Sequence, residues 1–105
     1  MKRSKRRYLL LQIDVEGSLN EREFLDAIWG SIARLYGENG ASLTNMSLIK
    51  YDEEKKSALI RVPLSALQIV RASIALITRI SDRSAAVQVI KISGTIKSLG
   101  ARTAQ

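Results

Sequence analysis

The chain has 105 residues, 46% of them hydrophobic, which is enough for one domain with a real core and argues against a disordered polypeptide. It contains no cysteine and no histidine, which excludes disulfides, thiolate metal sites and the commonest general base and metal ligand. The net charge of +7 is unevenly placed: residues 1–13 sum to +5, residues 14–54 to −6 and residues 55–105 to +8. Two basic thirds suit a polyanion and an acidic middle suits a basic protein partner, although solvated faces would give the same charges.

Residues 1–7 form a basic arm with Lys2, Arg3, Lys5, Arg6 and Arg7. The arm leads into Tyr8 to Val15, where Leu9, Leu11, Ile13 and Val15 alternate with Tyr8, Leu10, Gln12 and Asp14, the signature of a strand with one dry face. Ser18-Leu19-Asn20-Glu21 reads as a capping box opening a helix. Leu25, Ile28, Trp29, Ile32, Leu35 and Tyr36 then fall on one stripe, and Gly37 ends the helix, with Gly40 in the loop beyond. Leu43 to Tyr51 predicts a second strand, Asp52 to Lys56 a polar turn and Ser57 to Val62 a third strand in a hairpin with it.

Pro63 has no N–H and stops the ladder. Ser65 is placed to cap a second helix running to about Ile80, with Leu67, Val70, Ile74 and Ile77 inward and a turn at Asp82 to Ser84. Ala86 to Ile92 predicts a fourth strand, and a short final helix begins near Thr95. The predicted order is β-α-β-β-α-β, an α+β, ferredoxin-like (RRM-like) sandwich. Four antiparallel strands would carry two helices on one face, with a short C-terminal helix besides. The domain would span residues 8–100, and residues 101–105 would be a flexible tail.

Catalytic constellations are nearly absent. Asp14 with Glu16, and Asp52 with Glu53 and Glu54, read as solvated loop acids, and no serine has a histidine base, so no catalytic or metal-ligating residue is assigned. The apolar run from Tyr8 is far shorter than the roughly 20 residues of a membrane span. A soluble, cytoplasmic protein without membrane contact is expected. The strongest binding signal is the junction at Ser93-Gly94-Thr95, where backbone N–H groups can meet an anion beside Lys91 and Lys97 and no acid follows Asp82. Arg71 adds a cation on the second helix, and Arg79 and Arg83 would sit near that helix's C-terminus, favoured by its dipole. The uncovered sheet face lacks the aromatics on two central strands that sheet-type RNA readers need; only Tyr8 is present. Leu10 and Leu59 on that face suit a protein interface, or cover by Ile96 and Leu99, and Glu21, Glu23 and Asp26 on the first helix suit a basic protein partner.

Several segments in fixed order resemble the archaeal and eukaryotic ribonuclease P protein component 2 family. They are Arg7-Tyr8-Leu9-Leu10, Leu35-Tyr36-Gly37 with Gly40, Tyr51-Asp52, Ala58 to Val62, Val70 to Ile77, and Ile92-Ser93-Gly94-Thr95-Ile96-Lys97. The Ser-Gly-Thr-Ile-Lys ending is the most specific of these, and the compact length is similar to archaeal members. The resemblance implies a noncatalytic protein subunit of the ribonucleoprotein that removes the 5′ leader from precursor tRNA. In that enzyme the RNA performs the chemistry with magnesium, so this chain would bind no cofactor itself. Its expected partners are the ribonuclease P RNA, precursor tRNA indirectly, and a barrel-shaped protein subunit in a heterotetramer; the apolar face also leaves room for a homodimer. The residues expected to meet RNA are Lys2, Arg3, Lys5, Arg6, Arg7, Arg71, Lys91, Gly94, Thr95 and Lys97. Three alternatives stand beside this one: a ferredoxin-like regulatory module binding a small ligand between subunits, a subunit of another RNA–protein complex, and a self-sufficient nuclease.

Overall fold

The computed structural model describes residues 5–95, with side chains for all of them except 38–44. The elements, in chain order, are β1 (Arg6–Val15), α1 (Glu21–Thr44), β2 (Ser47–Asp52), β3 (Ser57–Pro63), a 3-10 turn (Leu64–Ala66), α2 (Leu67–Ala75), β4 (Arg79–Ile80) and β5 (Arg83–Ser93). They build one antiparallel sheet in the order β2-β3-β1-β5-β4. The order β2-β3-β1-β5 is that of the split βαβ arrangement expected from sequence. The sheet has five strands where four were predicted. The predicted C-terminal helix and flexible tail lie outside the described residues.

Strand alternation sets the two faces. Leu9, Leu11 and Ile13 of β1 and Ile60 and Val62 of β3 are at most 1% exposed, whereas their alternate neighbours are not buried. These residues pack against Phe24, Ile28 and Ile32 of α1 and Val70, Ile74 and Ile77 on the α2 side. Leu67 and Leu25 pack at the rim, while Leu35 and Tyr36, placed on the inward stripe by spacing, are exposed. α1 and α2 touch through small residues: the Ser31 hydroxyl donates to the Ser73 carbonyl at 2.6 Å, while the Ser73 hydroxyl turns back within α2 to the Ile69 carbonyl at 2.9 Å.

The helix boundaries differ from the sequence reading for definable reasons. The N-cap of α1 is Asn20, not Ser18: its side chain accepts from the Glu23 N–H at 2.8 Å, and the Glu23 carboxylate accepts from the Asn20 N–H at 3.0 Å. This register also puts Leu19 just before the cap and Phe24 four positions after it, both fully buried, so the two apolar positions that brace a helix entry are filled. A cap at Ser18 would place Gly17 and Arg22 there. Gly37 does break α1, with φ 74° and ψ −177°, but helical backbone resumes as far as Thr44 and Asn45 caps it at φ 45°. β2 therefore starts at Ser47, later than predicted.

Pro63 is the last residue of β3, and the Leu64 N–H then donates to the Lys5 carbonyl. Ser65 lies inside the 3-10 turn and caps nothing; neither that turn nor α2 has a side-chain cap. α2 stops at Ala75, not near Ile80, because the chain tightens, with Leu76 and Ile77 N–H groups donating to Ser73 and Ile74 carbonyls. It then reverses as a β4–β5 hairpin. Ser81 and Asp82 both have positive φ, 52° and 65°, the two-residue turn whose twist matches paired strands.

Candidate nucleic-acid and protein interfaces

At one end of the sheet β1 begins and β5 finishes. Tyr8 pairs with Ser93, and the Arg7 guanidinium Nη1 donates to the Arg6 carbonyl at 2.9 Å. The same nitrogen stands 3.6 Å from the position a Cβ on Gly94 would take, so the fold does bring Arg7 and Gly94 together. The Thr95 N–H donates to the Ser93 hydroxyl at 3.2 Å, so part of the backbone expected to receive an anion is engaged within the junction. Lys5 and Arg6 are exposed beside it. Lys91 is opposite Leu10, on the sheet face away from the helices, and Arg71 is exposed on α2. Lys2, Arg3 and Lys97 lie outside the described residues.

The other half of the alternation builds the opposite face, which is helix-free among the described residues. Leu10 and Leu59 are direct partners across β1 and β3, each half-buried. Bulges in the two flanking pairings, at Ile49 of β2 and Ile90 of β5, insert an extra apolar residue beside Lys50 and Lys91 in the same cross-strand row. Ile49 is 39% exposed and Ile90 55%. Neither was singled out from sequence, because a bulge shifts register without a composition signal.

The opposite end of the molecule is a locked junction. Arg83 Nη1 donates to the Glu16 and Ser18 carbonyls at 2.9 and 2.7 Å, and its Nη2 lies 3.4 Å from Glu23 Oε2. Lys56 Nζ donates to the Val15 carbonyl at 2.5 Å, and the Tyr51 hydroxyl donates to the Leu19 carbonyl. Phe24 and Tyr51 stack with centroids 5.4 Å apart. Three side chains, from β2, the β2–β3 turn and β5, thus hold the β1–α1 loop. Arg79 and Arg83 belong to the β4–β5 hairpin, not to a helix C-terminus, which corrects the dipole reading; Arg79 donates to the Asp82 carbonyl at 3.0 Å.

Glu23 likewise has a structural task, whereas Glu21 and Asp26 are exposed on the same helix. The hydrogen bond from the Asn20 backbone, helped by the Ser81 side chain and the Arg83 charge, holds the Glu23 carboxyl below its ordinary value. Burial, and then the neighbouring acids beginning with Glu53, push the Tyr51 phenol up. The Asp52 carboxylate accepts from the Lys55 N–H, so it closes the β2–β3 turn. Among the described residues no three acids gather in a way that could hold a metal ion, and no helix is long and apolar enough to cross a membrane.

The Rpp14/Pop5 family model matches residues 7–103. Ribonuclease P protein component 2 of Pyrococcus furiosus is 34% identical over 97 residues, covering 92% of this chain and 81% of the relative. The protein of the same name from Methanobrevibacter smithii is 31% identical over 102 residues, covering 90% and 85%. A chain of yeast ribonuclease MRP solved by cryo-electron microscopy superposes with a TM-score of 0.76 at 16% identity, covering all of this chain and 95% of the other, and so shares the fold. With a match running through both the Arg7–Gly94 junction and the whole sheet, the chain belongs to the Rpp14/Pop5 family.

Proposed function

We propose that the chain is a noncatalytic protein subunit of ribonuclease P, the ribonucleoprotein that cleaves the 5′ leader from precursor tRNA, acting in the cytoplasm. The observation that carries this reading is the match to archaeal ribonuclease P protein component 2 over nine-tenths of the chain. Two features of the molecule support it. No histidine, cysteine or clustered acid among the described residues offers catalysis, and Lys5, Arg6 and Arg7 stand where β1 enters the sheet, beside Gly94 where β5 leaves it.

In this reading the RNA performs cleavage with its own magnesium ions, and the protein lowers the cost of crowding phosphates. Lys and Arg groups of the arm, with Arg7 over Gly94 and the Lys91–Thr95 segment, neutralise RNA phosphates and release counterions. Arg71 supplies a further contact. A barrel-shaped protein subunit completes a heterotetramer, with the exposed Glu21 and Asp26 and the Leu10–Leu59 face as its candidate contacts.

Charge reversal tests the RNA contact. Arg7→Glu combined with Lys97→Glu should raise the magnesium concentration needed for half-maximal precursor-tRNA cleavage by the reconstituted enzyme. Each lost phosphate contact should also reduce the slope of log affinity against log salt by about 1. An unchanged magnesium requirement and salt slope would remove these residues from the RNA interface.

A further inference from the structure

On the helix-free face, Ile49, Leu59, Leu10 and Ile90 form one apolar row running across four strands, made continuous by the two bulges. With strands about 4.8 Å apart, the row is roughly 15 Å long, the length of about ten helical residues at 1.5 Å each. Lys50 and Lys91 close its two ends, in the same row. One step toward the start of β1 lies a row with Arg61; on the other side Asp52, and then Asp14, face the same way. The apolar row therefore separates a basic margin from an acidic one.

We propose that this face is the seat of one amphipathic helix, about three turns long, from a partner protein. Its apolar stripe would lie on the row, with acids on the margin beside Arg61 and at the end beside Lys50, and a neutral or basic margin beside Asp52. This deepens the reading of the chain as an assembly subunit and rests on it. RNA is the poorer occupant of the row itself, Lys91 at its β5 end aside, because Asp52 and Asp14 repel phosphate along one margin and Tyr8 is the only aromatic among the described residues of the two central strands. The chain's own residues 96–105 are a poor match in composition: they offer two large apolar side chains, Ile96 and Leu99, and carry Lys97 and Arg102 with no acid. A partner helix with acids on one margin satisfies both the apolar row and the field.

The test uses the full chain, expressed in its own cells with a benzophenone amino acid in place of Leu59 or Ile90, and the assembly purified through it. Irradiation should join both positions to one partner segment whose peptide shows apolar residues at i, i+3 or i+4 and i+7 with acids on one margin. Arg61→Glu with Lys50→Glu should lower that yield at least tenfold. The proposal is overturned by cross-links to nucleotides, to a second copy, to residues 96–105 or to a segment without that pattern, by no cross-link, or by a yield indifferent to the charge reversal. Precursor-tRNA cleavage by the unirradiated material tests the subunit reading separately, so an active preparation with no such cross-link would sink the helix alone.

Discussion

The two faces of the sheet are made by the same strands and differ in one respect, the identity of alternate residues. Ile60 of β3 is completely buried under the helices, and its neighbour Leu59 is half-buried on the other side. The first face carries stability, since removing apolar surface from water contributes about 25 cal/mol per Å². The second keeps apolar and charged groups in solvent contact and so remains available for recognition. A single strand thereby serves both purposes, and substitutions one residue apart should separate them.

The largest expected effect is Ile60→Ala, which should cost about 2–5 kcal/mol of folding stability, read as a shift in the urea midpoint. Leu59→Ala should cost less than about 1.5 kcal/mol and leave the slope of unfolding unchanged. Equal losses at the two positions would erase the distinction between the faces. Next comes Arg83→Ala. It removes charge-assisted bonds to two loop carbonyls at a half-exposed site, and should cost about 1–2 kcal/mol and speed amide exchange at residues 17–20 before it affects β1. Uniform exchange would show that the loop does not depend on the clamp.

Asn20→Ala should cost about 1 kcal/mol and Ser18→Ala much less, since Asn20 is the cap. The smallest effect is one of pH. The Glu23 carboxyl is held below its ordinary value of 4.5, so its contribution is complete above that pH and disappears as the pH falls through the lowered folded value. Glu23→Gln should therefore lower the unfolding midpoint at pH 7, and the gap to the parent protein should narrow toward pH 3. A constant gap would mean that its charge is irrelevant.

The buried face was legible in the sequence because it depends on local periodicity: Leu9, Leu11 and Ile13 alternate, and Val70, Ile74 and Ile77 follow a helical stripe. What the sequence concealed is in part a choice between competing local signals and in part the pairing of distant segments. The Asn20–Glu23 box competes with Ser18–Glu21 at the same spacing, and only the burial of Leu19 and Phe24 decides between them. The β4–β5 hairpin turns through Ser81-Asp82 with no glycine, so it reads as the end of a helix. The bulges that bring Ile49 and Ile90 beside Leu59 and Leu10 arise from register, which composition does not encode. The Arg7–Gly94 meeting was foreseeable only in part: both residues were singled out as basic arm and anion junction, but their proximity comes from the β1–β5 pairing.

The most direct test of the central claim is 5′ cleavage of precursor tRNA by the complex purified from native cells through this chain, with and without prior micrococcal nuclease that is inactivated before substrate is added. A protein subunit of an RNA-based enzyme gives cleavage at the mature 5′ end in the untreated material and its loss after nuclease. Cleavage that survives complete removal of RNA, or a purified complex with neither RNA nor activity, would contradict that role.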